Sequence, residues 1–165
     1  MRSFNHRPIT LAAGRVGLIS DTHGLVRAEA LVALRNSELI IHAGDIGSPD
    51  VLSALEQIAP VLAIKGNNDR DSWARGLPDI LFVRVNAIGV QVIHNLNELE
   101  IKPANTDFRI VISGHSHKPL VGTQDGVLFI NPGSAGPRRF KLPISVARLK
   151  IQREKPQAKI VEIKI

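Results

Sequence analysis

The run Val16-Gly17-Leu18-Ile19-Ser20-Asp21-Thr22-His23-Gly24, answered by Leu39-Ile40-Ile41-His42-Ala43-Gly44-Asp45, decides the fold. Each begins with a short apolar stretch of buried-strand length and ends on side chains that can ligate a metal. Between them Ala28, Leu31, Val32 and Leu34 recur at the spacing of one helical face, which predicts a helix over 27–36. A second helix is predicted over 50–58, with Ser48 or Asp50 as its cap and Pro60 as its stop. A third strand over 61–64 then closes on Gly66-Asn67. Strand, helix, strand, helix, strand implies right-handed crossovers and a parallel sheet.

Beyond residue 80 the pattern changes. The runs 81–85 and 90–93 flank a turn containing Gly89 and read as a hairpin. The stretch 95–107 holds one helical turn around 96–99 before Pro103, and 109–113 is a buried strand leading into Gly114-His115. Gln124-Asp125-Gly126 between 120–123 and 127–130 is a strong hairpin signal. The runs 145–151 and 158–165 pair as the last strands across Glu154-Lys155-Pro156. The chain thus reads as α/β in its first half and mostly antiparallel β in its second. Two facing sheets with helices outside would bury every apolar run. Residues 1–14 read as a loose N-terminal extension and 15–165 as a single domain.

Composition narrows the chemistry. The chain has 165 residues, 44% apolar and 22% charged, enough for one core without staples. It has no cysteine, so disulfides, thiolate zinc sites and a cysteine nucleophile are excluded. No apolar run reaches the roughly 20 residues of a membrane span, and the piece after Pro8 is too short for a signal peptide. A cytoplasmic protein with no membrane partner is expected. The net charge is +6, with Arg138, Arg139, Lys141, Arg148, Lys150 and Lys159 among the surplus. Apolar residues interleave with these cations and aromatics are few, so solvated strand faces are expected first. A nucleic-acid partner stays open, as does a homo-oligomer.

Four polar runs stand where strands would hand over to loops: Asp21-Thr22-His23, Gly44-Asp45, Gly66-Asn67-Asn68-Asp69 and Gly114-His115-Ser116-His117. His94 closes the run 90–93 in the same way. In an open α/β sheet, ligands bind beyond the carboxyl ends of the strands, where all of these can converge. Any single run is commonplace; their joint order reads as a site for two metal ions. Carboxylates, imidazoles and an amide carbonyl suit manganese, iron, zinc, cobalt or nickel better than calcium or magnesium. Two adjacent dications repel strongly, so a shared carboxylate and a bridging hydroxide are expected between them, the hydroxide being the nucleophile. His42, inside its strand, is expected to hydrogen-bond locally. His6 carries no assignment.

The ordered set resembles the calcineurin-like metallophosphoesterases, and within them the small prokaryotic phosphodiesterases whose fold a retromer subunit shares. Asp21-Thr22-His23-Gly24, His42-Ala43-Gly44-Asp45, Gly66-Asn67-Asn68-Asp69 and Gly114-His115-Ser116-His117 match the family motifs in order. Asn131-Pro132-Gly133-Ser134 resembles a further segment of the subgroup. The resemblance runs from Val16 to the end of the chain. It implies a four-layer α/β/β/α sandwich of two facing mixed sheets, and hydrolysis of phosphate esters, often diesters, with manganese a frequent activator. It also implies one metal on Asp21, His23, Asp45 and His117 and another on Asp45, Asn67, His94 and His115. Asp45 would bridge, and Asn67 and His94 would also act on the substrate phosphate. Two positions depart from the pattern. Asn68 stands where small members usually carry Cys and larger relatives a proton-donating His, and His94 is followed by Asn95 rather than Gly. A nuclease using the same site, or a non-catalytic scaffold on the same fold, are the alternatives.

Overall fold

Three short parallel strands place the first polar runs side by side. The computed structural model describes residues 4–152 and 155–165. In it β1 (Arg15–Ile19), β2 (Leu39–His42) and β3 (Val61–Ala63) run parallel, with α1 (Ala28–Ala33) and α2 (Pro49–Glu56) as the crossovers. The Ser48 hydroxyl accepts from the Asp50 N–H at 3.2 Å, capping α2 as expected. Helix α1 is shorter than its periodicity predicts. Its C-terminal side runs into Asn36, which adopts φ +72° and cannot extend a right-handed helix.

Strands β9 (Ser145–Gln152) and β10 (Lys155–Glu162) continue this sheet antiparallel on the far side of β1, giving the order β10-β9-β1-β2-β3. Arg153 and Glu154, in the turn expected between them, lie outside the described residues. The second sheet has the order β4-β5-β6-β8-β7, from β4 (Ile80–Val85), β5 (Ile88–Ile93), β6 (Phe108–Ile112), β7 (Leu120–Gln124) and β8 (Val127–Asn131). The predicted hairpins are antiparallel. Strands β5, β6 and β8, however, run parallel, so the second half is mixed rather than mostly antiparallel. Apolar runs report burial and not direction, and the connections around β6 are long enough to cross over. The β4–β5 turn is Asn86-Ala87, both left-handed at φ +46° and +69°, and not Gly89. Gly89 instead lies within β5, where a Cβ would meet the Asp107 carbonyl oxygen at 2.6 Å.

The core has three parts. Leu18, Ile41, Val83, Val92, Ile112 and Leu149 are fully or almost fully buried between the sheets. The helices cover the outer face of the first sheet through Leu34, Val51 and Leu55. The outer face of the second sheet, at Val111 and Val127, is covered by two 3-10 turns, Leu96–Glu98 and Pro103–Asn105. The α/β/β/α sandwich is therefore present with a thin fourth layer, since 95–107 is too short and too broken by Pro103 for an α-helix. Of the stretch 1–14, read from the sequence as a loose extension, Asn5 and Ile9 bond along β4 while the Gly14 carbonyl accepts from the Ile151 N–H of β9. Asn5 N–H and Ile9 N–H donate to the carbonyls of Phe82 and Arg84 at 3.0 and 2.8 Å. Among the described residues, no helix is long and apolar enough to cross a membrane.

Candidate metal centre

Strands β1, β2 and β3 of one sheet and β5, β6 and β8 of the other deliver their carboxyl ends to one edge of the sandwich. The loops there are cross-linked through the backbone: Asp21 N–H donates to the Gly44 carbonyl, His23 N–H to Asp45, and Gly114 N–H to His94, each at 3.0 Å. Five of the predicted ligands adopt the left-handed backbone that non-glycine residues rarely visit. These are Asp21 (+55°), His23 (+48°), Asp45 (+56°), His115 (+70°) and His117 (+63°). Each such residue costs free energy and persists because its surroundings over-determine it, a pattern typical of functional sites.

That backbone brings the side chains together. Asp45 Oδ2 lies 3.3 Å from His94 Nε2 and 3.8 Å from His23 Nε2. Asp21 Oδ1 lies 3.4 Å from His117 Nε2 and 3.8 Å from His94 Nε2. Potential ligand atoms of Asp21, His23 and His117 fall within 4.8 Å of one another, as do those of Asp21, Asp45 and His94. Asp21 thus belongs to both groups, while Asp45 faces imidazoles from each. Asn67 and His115 sit further out, more exposed, and line a cavity of about 460 Å³ with His94. The rings of His94 and His115 meet edge to face with centroids 5.3 Å apart.

The electrostatics fit cations. Asp21 is fully buried, and burial raises its carboxyl; the bonds and charges of His117, Ser20 and His94 outweigh that and hold it below the usual range. Burial likewise raises Asp45, but His94 and the Asn68 N–H pull it down to about 2. His94 is pushed down by burial and, more strongly, up by Asp45, the Ala43 carbonyl and Asp21. Its Nδ1 lies 2.7 Å from the Ala43 carbonyl, which assigns the proton there in the neutral ring. Its Nε2 lone pair then faces two carboxylates. Asp21 Oδ1, His23 Nε2, His94 Nε2 and His117 Nδ1 are all buried without a hydrogen-bond partner. Buried polar atoms are rarely left so, and a set of carboxylate and imidazole donors in which His23 Nε2 and His94 Nε2 each lie 3.8 Å or less from a carboxylate oxygen fits a divalent ion among them.

Several residues that sequence reasoning left unassigned hold this cluster in place. The buried Asp69 carboxylate accepts from the N–H groups of Ile46 (3.0 Å), Gly47 (3.0 Å) and Gly66 (2.9 Å), fastening the Asp45 loop to the Asn67 loop. Ser20 donates to Asp21 Oδ2 at 2.7 Å, and the His115 N–H does so at 3.0 Å. Asn131 donates to the Gly114 carbonyl at 2.9 Å, and Ser134 to the Asp21 carbonyl at 3.0 Å. The Asn-Pro-Gly-Ser segment is therefore a brace. At Gly66 any Cβ would fall 2.1 Å from Asp45 Oδ1, so only glycine lets the loops approach this closely. His42 is satisfied locally, as expected: Thr22 Oγ1 gives its proton to Ile46 and accepts from Nε2 at 2.9 Å, while Nδ1 accepts from the Gly44 N–H at 3.1 Å. At Asn68, the backbone N–H donates to Asp45 Oδ1 at 2.9 Å and the side-chain amide to Oδ2 at 3.2 Å.

A two-sheet sandwich with buried carboxylates and imidazoles at its strand ends defines a metallophosphoesterase architecture. The family model described as the calcineurin-like phosphoesterase superfamily domain matches residues 15–154, and the chain belongs to that family. It is 35% identical over 158 residues to a probable metallophosphoesterase of Methanothermobacter thermautotrophicus, covering 88% of this chain and 91% of that one. A phosphodiesterase of Methanocaldococcus jannaschii is 28% identical over 137 residues, 72% of this chain and 82% of that one. Among solved structures, an archaeal phosphodiesterase superposes with TM-score 0.74 at 24% identity, over 89% of this chain and 99% of that one. Vps29 of Entamoeba histolytica, solved with zinc, superposes with TM-score 0.68 at 21% identity, over 90% and 98%. These likenesses show the fold.

Proposed function

We propose that this chain is a phosphoesterase that works with two divalent cations, manganese foremost, and prefers phosphodiesters to monoesters. Asp21, His23, Asp45 and His117 hold one cation; Asp45, Asn67, His94 and His115 hold the other. The observation that carries the reading is the set of buried, unpartnered ligand atoms on Asp21, His23, His94 and His117 around carboxylates held in the charged form. Asp45 as the shared ligand is supported by its Oδ2, which faces both His23 and His94. When bound, such cations polarise phosphoryl oxygens and lower the pKa of water toward neutrality. The chain's own residues supply the rest. The Ala43 carbonyl fixes the His94 ring so that Nε2 points inward. Asn67 and His94 border the cavity where a phosphate would sit and orient its oxygens. Asn68 stabilises the Asp45 carboxylate but has no acidic proton for a leaving group, so esters with good leaving groups turn over best.

The diester preference and a small phosphate-ester substrate rest on the phosphodiesterase name of one curated relative. A cytoplasmic location accords with the cysteine-free composition. A scaffold on this fold would be free to lose its ligands, whereas all seven residues are present here. The test is Asp45→Asn assayed with manganese on a chromogenic diester. The reading predicts a loss of at least about a hundredfold in kcat/KM and reduced metal content. Hydrolysis at the wild-type rate contradicts it.

A further inference from the structure

We propose that the outer face of the first sheet carries a second, non-catalytic anion site shaped for a short chain of phosphates. A cavity of about 330 Å³ opens beside the end of α1. Arg15, Arg35, Arg148, Lys150 and Lys159 line it, with no carboxylate among the lining residues. It sits at the amino end of β1, whereas the candidate metal centre lies beyond the carboxyl end of that strand. Register concentrates the charge: Arg15 stands opposite Lys150, and Arg148 opposite Lys159. Like charges directly opposed across an antiparallel ladder destabilise it, a cost that a bound anion would relieve.

Two of the guanidiniums are already oriented. Arg15 Nε donates to the Asn36 carbonyl at 2.7 Å and Arg148 Nε to the Ala33 carbonyl at 2.9 Å. Both bonds use Nε, leaving the terminal N–H groups for a ligand. The nearby Glu38 carboxylate, bonded to the N–H groups of Ala13 and Arg15, lies outside the lining and offsets the charge of Arg15 alone, leaving the other four cations uncompensated by it. Among the described residues, none of the five cations forms a salt bridge. The charges spread over β1, β9 and β10, about 10 Å at the usual strand spacing, a span suited to a few linked phosphates. No aromatic side chain lines the cavity for base stacking, and the chain at 35–37 walls one side, which favours a compact oligophosphate over a nucleic-acid strand.

The experiment is calorimetric titration of the chelator-stripped full chain with inorganic tripolyphosphate, a nucleoside triphosphate and orthophosphate. One tripolyphosphate per chain is expected, with affinity falling as salt is added and orthophosphate at least about tenfold weaker. Lys150→Glu with Lys159→Glu should lose at least about tenfold in affinity with a melting temperature no lower than that of the wild type, since each glutamate then faces an arginine across the ladder. Lys102→Glu with Lys141→Glu, matched in net charge, should bind as the wild type. If the first pair fails to fold, Lys150→Gln with Lys159→Gln should show the same loss. Equal binding of the two triphosphates assigns the site to the phosphate chain alone; tighter nucleoside triphosphate binding adds the base, and both support the inference. It is overturned if the Lys150/Lys159 variants bind as well as the charge-matched control. Orthophosphate matching tripolyphosphate, or tighter binding of single-stranded DNA lost on the same substitutions, also overturns it. Asp45→Asn should bind tripolyphosphate unchanged, separating this site from the phosphoesterase reading.

Discussion

Asn68 and His42 show how single side chains set the chemistry of the edge. Asn68 gives both its donors to Asp45, so it strengthens the carboxylate it touches and protonates nothing. Across a series of diesters, the wild-type rate should therefore fall steeply as the leaving-group pKa rises. Asn68→His should flatten that dependence and speed the poorest leaving groups by about 10²-fold. An unaltered slope would mean that another group supplies the proton. His42, fully buried, is pushed down to about 4 by desolvation. Its folded pKa lies below its unfolded value near 6.5, so its contribution to stability is complete above that value and fades as pH falls toward 4. Urea midpoints of the chelator-stripped protein should drop across this window. His42→Gln, which keeps one donor and one acceptor, should remove up to about 3 kcal/mol of that drop. Parallel pH profiles for the two proteins would refute the assignment.

Loops, more than strands, hold the ligands. Asp69 receives three backbone N–H groups from two of them, and each charge-assisted bond is strong when buried. Asp69→Asn turns a donor toward those N–H groups and should cost about 2–3 kcal/mol in denaturant unfolding, with weakened manganese binding. A variant as stable as the wild type would show the loops to be held otherwise. The sequence made the strand ends legible because Asp21, Asp45, Asn67 and His115 each follow an apolar run. The braces were not legible. Asp69, Asn131 and Ser134 act through contacts with residues distant in the chain and Ser20 through its neighbour Asp21, and a small polar residue looks the same whether it braces a site or faces water. The left-handed angles at Asp21, His23, Asp45, His115 and His117 were equally hidden, since neighbouring glycines drew attention to themselves instead.

For the whole molecule, alternating helices and strands up to residue 64 fixed direction, because only crossovers fit between them. Past residue 80 the hairpin at Asp125-Gly126 could be read from its turn chemistry. The parallel run of β5, β6 and β8 could not, as buried strands carry no mark of direction. Nor did the sequence reveal that Asn5 and Ile9 bond along β4, since backbone pairing leaves no side-chain signature. The cavity shared by Asn67, His94 and His115 and the basic cavity beside α1 likewise exist only once the sheets are stacked.

The proposed phosphoesterase activity depends on cations held between Asp21, Asp45 and their imidazoles. Its most direct test strips the protein with chelator, then titrates manganese while following bound metal and diester hydrolysis together. Negligible hydrolysis is expected at first, then activity that rises with occupancy to a plateau at two ions per chain. Undiminished hydrolysis after stripping, or two ions bound with no hydrolysis of any phosphate ester, would contradict it.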